Sequence, residues 1–382
     1  MPRFIEHKLT IPGGEATFTV PDRYGNLKCI GLGAQGVVVS ANDSRTGRNI
    51  AIKKLLKPLL NQGVAQRTFR EIALLSSISH PNIIPLLSVF SPDETEDTFN
   101  EIYLVMELMS YNLKKVVCNN TVLDHTRQSY FFYQILCAVN HLHKSDIIHR
   151  DLKPFNIALN TKASIIKILD FGLARIMDTN SRPNMTAYVV SRCYRAPELL
   201  LSISQKRLTY CGKVDMWSVG CIFAELITGK VLFPGKDITD QWKEIIKQMG
   251  TPSEEFISKL DPTVAQYVRN RDKFPECPAK HIDEILPDSA FQADSEIPAS
   301  GNTASNARDL VSKLLQFDPS KRLSAREALE HPYVRRWRKE HEVNAPTSTA
   351  KDVEGENLSL QELKAKIFTE VKNLENSKNI FG

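Results

Sequence analysis

In the segment GLGAQGVV, Gly31, Gly33 and Gly36 are spaced so that backbone N–H groups can approach phosphate oxygens with no side chain in the way. This spacing serves two chemistries, a dinucleotide fold or a flap over a nucleotide, and only the first needs a helix after the third glycine. The β-branched residues that follow Gly36, Val38 among them, put the glycines in a hairpin instead. Lys53, in IAIKK, comes two strands later and Glu71 lies in a helical segment beyond it. A lysine can bridge nucleotide phosphates while a glutamate fixes its position, which ties the place of the helix to activity.

IIHRDLKPFNIAL contains His149, Arg150, Asp151, Lys153 and Asn156. KILDFGLAR follows with Asp170, Phe171 and Gly172, and then Ala196-Pro197-Glu198. In this order, from about Tyr24 to Trp337, the motifs resemble the eukaryotic protein-kinase signature. The resemblance implies that Asp151 accepts the hydrogen bond and then the proton of a substrate hydroxyl. Lys153 holds γ-phosphoryl oxygens as charge redistributes. Asn156 and Asp170 are hard oxygen donors suited to Mg²⁺ beside ATP. By the same resemblance, Met106 would stand at the back of the adenine pocket, and Glu107 and Met109 would offer backbone groups to adenine. Asp215, Trp217 and Gly220 in DMWSVG, with a Glu198–Arg322 pair, are read as scaffold.

Thr186-Ala187-Tyr188 lies between Asp170 and Ala196 and is similar to the dual-phosphorylation lip of a MAP kinase. A phosphate there needs arginines to order it. Arg67, Arg70, Arg150 and Arg175 match the positions that receive phosphothreonine, while Arg192 and Arg195 match those for phosphotyrosine and for a proline after the target residue. VMELMSYNL, LFPGKDITDQW, GTPSEEFISKLDPTVAQYV and EALEHPYV resemble the stress-activated Jun N-terminal kinase branch. The chain departs from that pattern with Ala187 for proline, Phe155 for serine, Ser191 for threonine and Cys193 for an aromatic. RRWRKEHE is basic where MAP kinases carry an acidic docking patch.

These residues need elements to position them. Short β-rich runs with turn signals from about residue 18 to 56 read as antiparallel hairpins, QRTFREIALLSSI as a helix with Phe69, Ile72, Leu75 and Ile78 on one face, and EIYLVMEL as a strand. Long helical patterns follow Met109. The expected architecture is an α+β, bilobal protein-kinase fold. It has a small antiparallel N-lobe with one main helix over residues 1–109, and a mostly helical C-lobe over 110–340 with an activation segment at 170–198 and an insert at about 250–300. A C-terminal extension over 341–382 carries an amphipathic helix with Leu360, Leu363, Ile367, Val371 and Leu374 at helical spacing and capping-box spacing at Ser359 and Glu362.

The 382 residues suffice for two lobes, and 42% hydrophobic with 24% charged residues is ordinary for a globular chain. A net charge of +5 is too mild to argue for nucleic acid. Seven scattered cysteines, none in a C-x-x-C pair, favour neither a disulfide framework nor zinc and fit a reducing compartment. No signal-like, membrane-spanning or prenylation segment is read, so cytoplasm and nucleus are expected. The implied partners are protein substrates with Ser/Thr-Pro sites, transcription factors among them, an upstream dual-specificity MAP kinase kinase and phosphatases, acting on a monomer. The other readings are a kinase-shaped interaction protein with little catalysis, and a dinucleotide-dependent oxidoreductase that rests on the glycines alone.

Overall fold

The computed structural model describes residues 3–33, 35–118, 124–177, 192–201, 211–291, 303–348 and 358–377. The chain divides into two compact units. One holds Met1–Ser110, Asp170–Leu173 and Ser348–Gly382, and the other Tyr111–Leu169 and Ala174–Thr347. Of the C-terminal extension, the last helix packs with the first unit, and the short helix Glu340–Val343 belongs to the second.

In the first unit, β1 (Phe4–Ile11) and β2 (Gly14–Pro21) pair in unbroken antiparallel register from Phe4 with Pro21 to Ile11 with Gly14. Gly13 makes the turn at φ 89°, a conformation open to glycine. Most of this hairpin lies before about residue 18, where the expected hairpins begin, although the alternation in FIEHKLTI before a Pro-Gly-Gly turn signals it. A five-stranded antiparallel sheet follows in the order β3 (Tyr24–Gly33), β4 (Gly36–Asp43), β5 (Arg48–Leu55), β7 (Tyr103–Glu107), β6 (Leu86–Phe90).

Register sorts this sheet into two faces, because directly opposed residues on paired strands share a face. Gly31 opposes Val38, Val38 opposes Lys53 and Lys53 opposes Leu104, with Ala51 opposite Met106 on the same face. On the other face Val37, Val39, Ala41, Ile50, Ile52, Tyr103 and Val105 join Phe18, Val20, Tyr24 and Phe90 in a buried core. Phe90 stacks on Tyr103 at 4.8 Å between centroids. Each such side chain contributes about 1.5–3 kcal/mol of burial, so this core anchors the sheet from the face opposite Lys53.

Helix α1 (Gln62–Ser77) starts where Asn61 accepts a hydrogen bond from the Val64 N–H at 3.0 Å. Phe69, Ile72 and Leu75 are buried as their spacing predicts, whereas Ile78 lies just past the helix in extended backbone and is buried there. The C-terminal helix (Leu360–Ser377) packs on α1 and β6. Leu363, Ile367 and Val371 are fully buried, Leu360 is exposed and Leu374 half-buried. Its predicted capping box is formed, with Ser359 N–H to Glu362 at 2.7 Å and Glu362 N–H to Ser359 Oγ at 3.2 Å. Buried Glu375 near its end accepts the Ser91 N–H at 2.7 Å.

The second unit is built on two nearly all-buried helices, His125–Lys144 and Lys213–Thr228, whose Phe132 and Phe223 rings stack at 4.0 Å. Short strands Ile157–Asn160 and Ile165–Ile168 form a small antiparallel sheet with Tyr111–Asn112. Within the expected insert, short helices span Glu254–Ile257, Pro262–Arg269 and Ile282–Ile285. Among the described residues no helix is long and apolar enough to cross a membrane.

Candidate active site

The first unit places Lys53 on β5 and Glu71 on α1 with Lys53 Nζ and Glu71 Oε1 2.5 Å apart, both side chains largely buried. Burial alone would drive the Lys53 ammonium toward neutrality, but the Glu71 and Asp170 carboxylates outweigh it and hold its pKa above the ordinary lysine value. A lysine ammonium at this point can bind phosphate oxygens. Lys53 also donates to Gln35 Oε1 at 3.4 Å, a residue that the sequence reading passed over although it lies inside the glycine stretch.

The three glycines differ in role. A Cβ on Gly36 would sit 2.5 Å from the Lys54 carbonyl oxygen, so the close approach of β4 to β5 requires glycine there. Around Gly33 the space is open, and a Cβ on Gly31 would meet Val38 at an ordinary 3.7 Å. Packing among the described residues does not require glycine at Gly31 or Gly33, and their lack of a side chain suits the close approach of a ligand. Met106 and Glu107 end β7, half-buried, and Met109 follows two residues beyond the last strand pair. Asp170 sits at φ 64° and accepts the Gly172 N–H on Oδ1 at 3.3 Å.

In the second unit one buried carboxylate shapes the loop that carries Asp151. Asp215, wholly buried at the start of the helix Lys213–Thr228, accepts the His149 N–H at 2.9 Å and the Arg150 N–H at 2.8 Å. His143 Nε2 lies 2.9 Å from the same carboxylate. Gly212 makes room for that ring, since a Cβ there would stand 2.5 Å from His143 Nδ1. Burial would raise the Asp215 pKa, but the hydrogen bond and charge of His143, the charge of His149 and the Arg150 N–H hold it below the ordinary carboxylate value. With its backbone so fixed, Arg150 takes φ 67°, outside the range that most residues adopt. His143 was missed in the sequence because nothing in its local pattern marks a partner 72 residues away.

Asp151 follows, 7% exposed, with Lys153 Nζ 2.7 Å from its Oδ2. Asn156 Nδ2 donates to the Asp151 carbonyl at 2.9 Å and to Oδ2 at 3.1 Å. Those two bonds use the amide's nitrogen and leave Oδ1 as the hard oxygen that a magnesium ion accepts. Asp170 keeps a second carboxylate oxygen beyond its bond to Gly172, so both residues suit the metal the sequence assigned to them.

The predicted scaffold contacts are present. Arg322 and Glu198, both buried, pair in a two-bonded fork at 2.8 and 3.2 Å, and the guanidinium also donates to the Gln316 carbonyl and lies 5.3 Å above the Trp217 ring. A Cβ on Gly220 would approach Leu315 Cδ2 to 2.9 Å, so the helix carrying Asp215 packs tightly on its neighbour.

The regulatory arginines occupy different settings. Arg67 is half-buried on α1, and Arg70, 1% exposed, donates to the Gly172 carbonyl at 3.1 Å, which braces the turn after Asp170. Arg175 is half-buried and donates to the Ala174 carbonyl, and Arg192 donates to the Lys236 carbonyl at 2.7 Å. Arg150 and Arg195 are half-buried in the second unit. Thr186, Tyr188 and Ser191 lie outside the described residues. In the basic stretch near the end of the second unit, Arg338 pairs with Glu330 and Glu340, and Lys339 with Glu342 at 3.1 Å. Much of its positive charge is thus locally balanced.

A base-bearing loop, a buried lysine–glutamate pair and a glycine hairpin on one chain are the parts of a phosphotransferase that uses ATP. The protein kinase domain family matches residues 24–334, and the chain belongs to it: it is a protein kinase, and its family binds ATP with a divalent metal ion. Among curated proteins it is similar to GLH-binding kinase 1 of Caenorhabditis elegans, 46% identical over 382 residues that cover 98% of this chain and 95% of the relative.

Proposed function

We propose that this kinase is a Ser/Thr kinase of MAP kinase type, in the Jun N-terminal kinase branch, which transfers the γ-phosphoryl group of ATP to Ser/Thr-Pro sites after phosphorylation of its own Thr186 and Tyr188. The observation that carries the transfer chemistry is the 2.7 Å contact of Lys153 Nζ with Asp151 Oδ2 in a loop held by Asp215. The substrate hydroxyl hydrogen-bonds to Asp151, its oxygen bonds to the γ-phosphorus as the bond to the ADP oxygen breaks, and its proton passes to Asp151. Lys153, one bond away, balances the negative charge on the transferring group. Lys53, held by Glu71, orients the phosphates from the first unit. Asn156 Oδ1 and Asp170 are assigned to Mg²⁺, which when bound neutralises charge on the phosphate oxygens.

The lip assignment rests on the place of Thr186 and Tyr188 between Asp170 and Ala196. An upstream dual-specificity kinase and phosphatases would set its state, and substrates would include transcription factors in cytoplasm and nucleus during stress. The relative is named for binding GLH, and for this chain we carry over only the expectation of a protein partner.

The test is ATP- and Mg²⁺-dependent phosphorylation of a Ser/Thr-Pro peptide by the full chain, with and without lip phosphorylation, beside Asp151→Asn. Lip phosphorylation is expected to raise turnover and Asp151→Asn to abolish it. A lip-phosphorylated protein that binds ATP and leaves every such peptide unmodified refutes the reading.

A further inference from the structure

Phe155 is 55% exposed, although it sits in the loop whose other parts are tightly bonded. It is the middle residue of the 3₁₀ turn Pro154–Asn156, and its two neighbours are buried. At about three residues per turn, adjacent side chains in such a turn point in different directions, so inward Pro154 and Asn156 leave the Phe155 ring facing out. Nor is the turn free to fold the ring away. Pro154 restricts the backbone, Asn156 N–H donates to the Lys153 carbonyl at 2.9 Å, the Asn156 carbonyl accepts the Leu169 N–H at 2.8 Å, and the Asn156 amide bonds twice to Asp151. A rigid mount holds an apolar ring against solvent, and the same bonds fix the proposed base.

Distance along the chain limits what the ring can touch. Phe155 lies two positions along the chain from Lys153, so their Cα atoms lie within about 7 Å. A peptide whose hydroxyl reaches Asp151 places side chains two or three residues away at about 7–11 Å along an extended backbone. A phenyl ring adds no charge or hydrogen bond, so the complementary group is apolar.

We propose that Phe155 contacts the substrate and selects peptides with an aliphatic or aromatic side chain two or three residues from the phosphoacceptor. The inference rests on the kinase reading above and adds to it a substrate class. Partial burial of one apolar side chain against the ring is expected to improve kcat/KM by about fivefold to tenfold over glycine or aspartate at that position, mainly through KM.

The experiment uses the lip-phosphorylated full chain and a Ser-Pro peptide set in which each flanking position carries in turn Leu, Phe, Gly or Asp. Wild type is expected to favour Leu or Phe at one position. Phe155→Ser should flatten that preference with kcat and the KM for ATP little changed, and Phe155→Leu should keep it. The proposal is overturned if wild type phosphorylates the set without preference, if the preference survives in Phe155→Ser, or if Phe155→Ser changes the KM for ATP alone, which would mark a contact with the nucleotide. Silence of wild type on every peptide, matched by Asp151→Asn, sinks the kinase reading itself and the substrate contact with it.

Discussion

Asp215→Asn preserves the shape of a wholly buried side chain while turning one of its acceptor oxygens into a donor. The carboxylate receives His149 N–H and His143 Nε2 on Oδ2 and Arg150 N–H on Oδ1. The amide can offer its single oxygen to only one of these sides, so its NH₂ must face a donor on the other. Losing one hydrogen bond to a charged acceptor and leaving a buried N–H unmatched costs about 2–4 kcal/mol. That is a large part of the roughly 5–15 kcal/mol that stabilises a typical protein. At about 2–4 °C per kcal/mol for a domain of this size, the midpoint of thermal unfolding should fall by roughly 4–16 °C.

The same substitution should reach activity, because Arg150 holds a left-handed backbone on one of these bonds and Asp151 is the next residue. Turnover of a Ser-Pro peptide is expected to fall at least about tenfold, the cost of a base moved from its productive position, with little change in the KM for ATP. The pH dependence has a definite sign. Asp215 is held below the ordinary carboxylate pKa, so its stabilisation is present above about pH 4 and is lost as pH falls further. The stability gap between wild type and Asp215→Asn should therefore be widest near neutrality and shrink toward pH 3, as read by urea unfolding across pH. Wild-type stability and wild-type turnover in the variant would refute the view that this carboxylate shapes the loop.

Arg322→Ala leaves Glu198 buried without its partner and should destabilise the second unit by about 3–5 kcal/mol, measured by denaturant unfolding. Ile367→Ala removes a fully buried side chain from the interface of the C-terminal helix with α1 and β6, and a loss of about 2–5 kcal/mol is expected in the same assay. Gly36→Ala forces a Cβ to within 2.5 Å of the Lys54 carbonyl oxygen, so the glycine hairpin must shift, and ATP affinity should drop in a titration while the overall circular dichroism is kept. Burial pushes the Cys137 thiol up to about 12, so native protein at pH 8 should take thiol label on exposed Cys118 and leave Cys137 unlabelled until it is unfolded, as mass spectrometry of digests can read.

Much of the fold was legible because its signals are local. The spacing of Phe69, Ile72 and Leu75 set a helix face, Leu363, Ile367 and Val371 another, and Ser359 with Glu362 its cap, since burial periodicity and capping act within a few residues. The hairpin at Phe4–Pro21 went unread although its alternation is equally local. The candidate site was legible as an ordered set of residue types: Lys53, Glu71, Asp151, Lys153, Asn156 and Asp170 each belong to a short motif whose chemistry names its role.

By itself, then, the sequence determined which side chains were available for phosphoryl transfer and which segments would be strand or helix. Only the tertiary structure decided how each is held. Register put Val38, Lys53 and Met106 on one sheet face, because opposed residues share a face and a one-residue slip would have turned them inward. Packing brought His143 to Asp215, made Gly36 a steric necessity while Gly33 stayed open, and committed Arg70 to the Gly172 carbonyl. These contacts join residues distant in the chain, and their geometry depends on every element between them, so no local spacing encodes them.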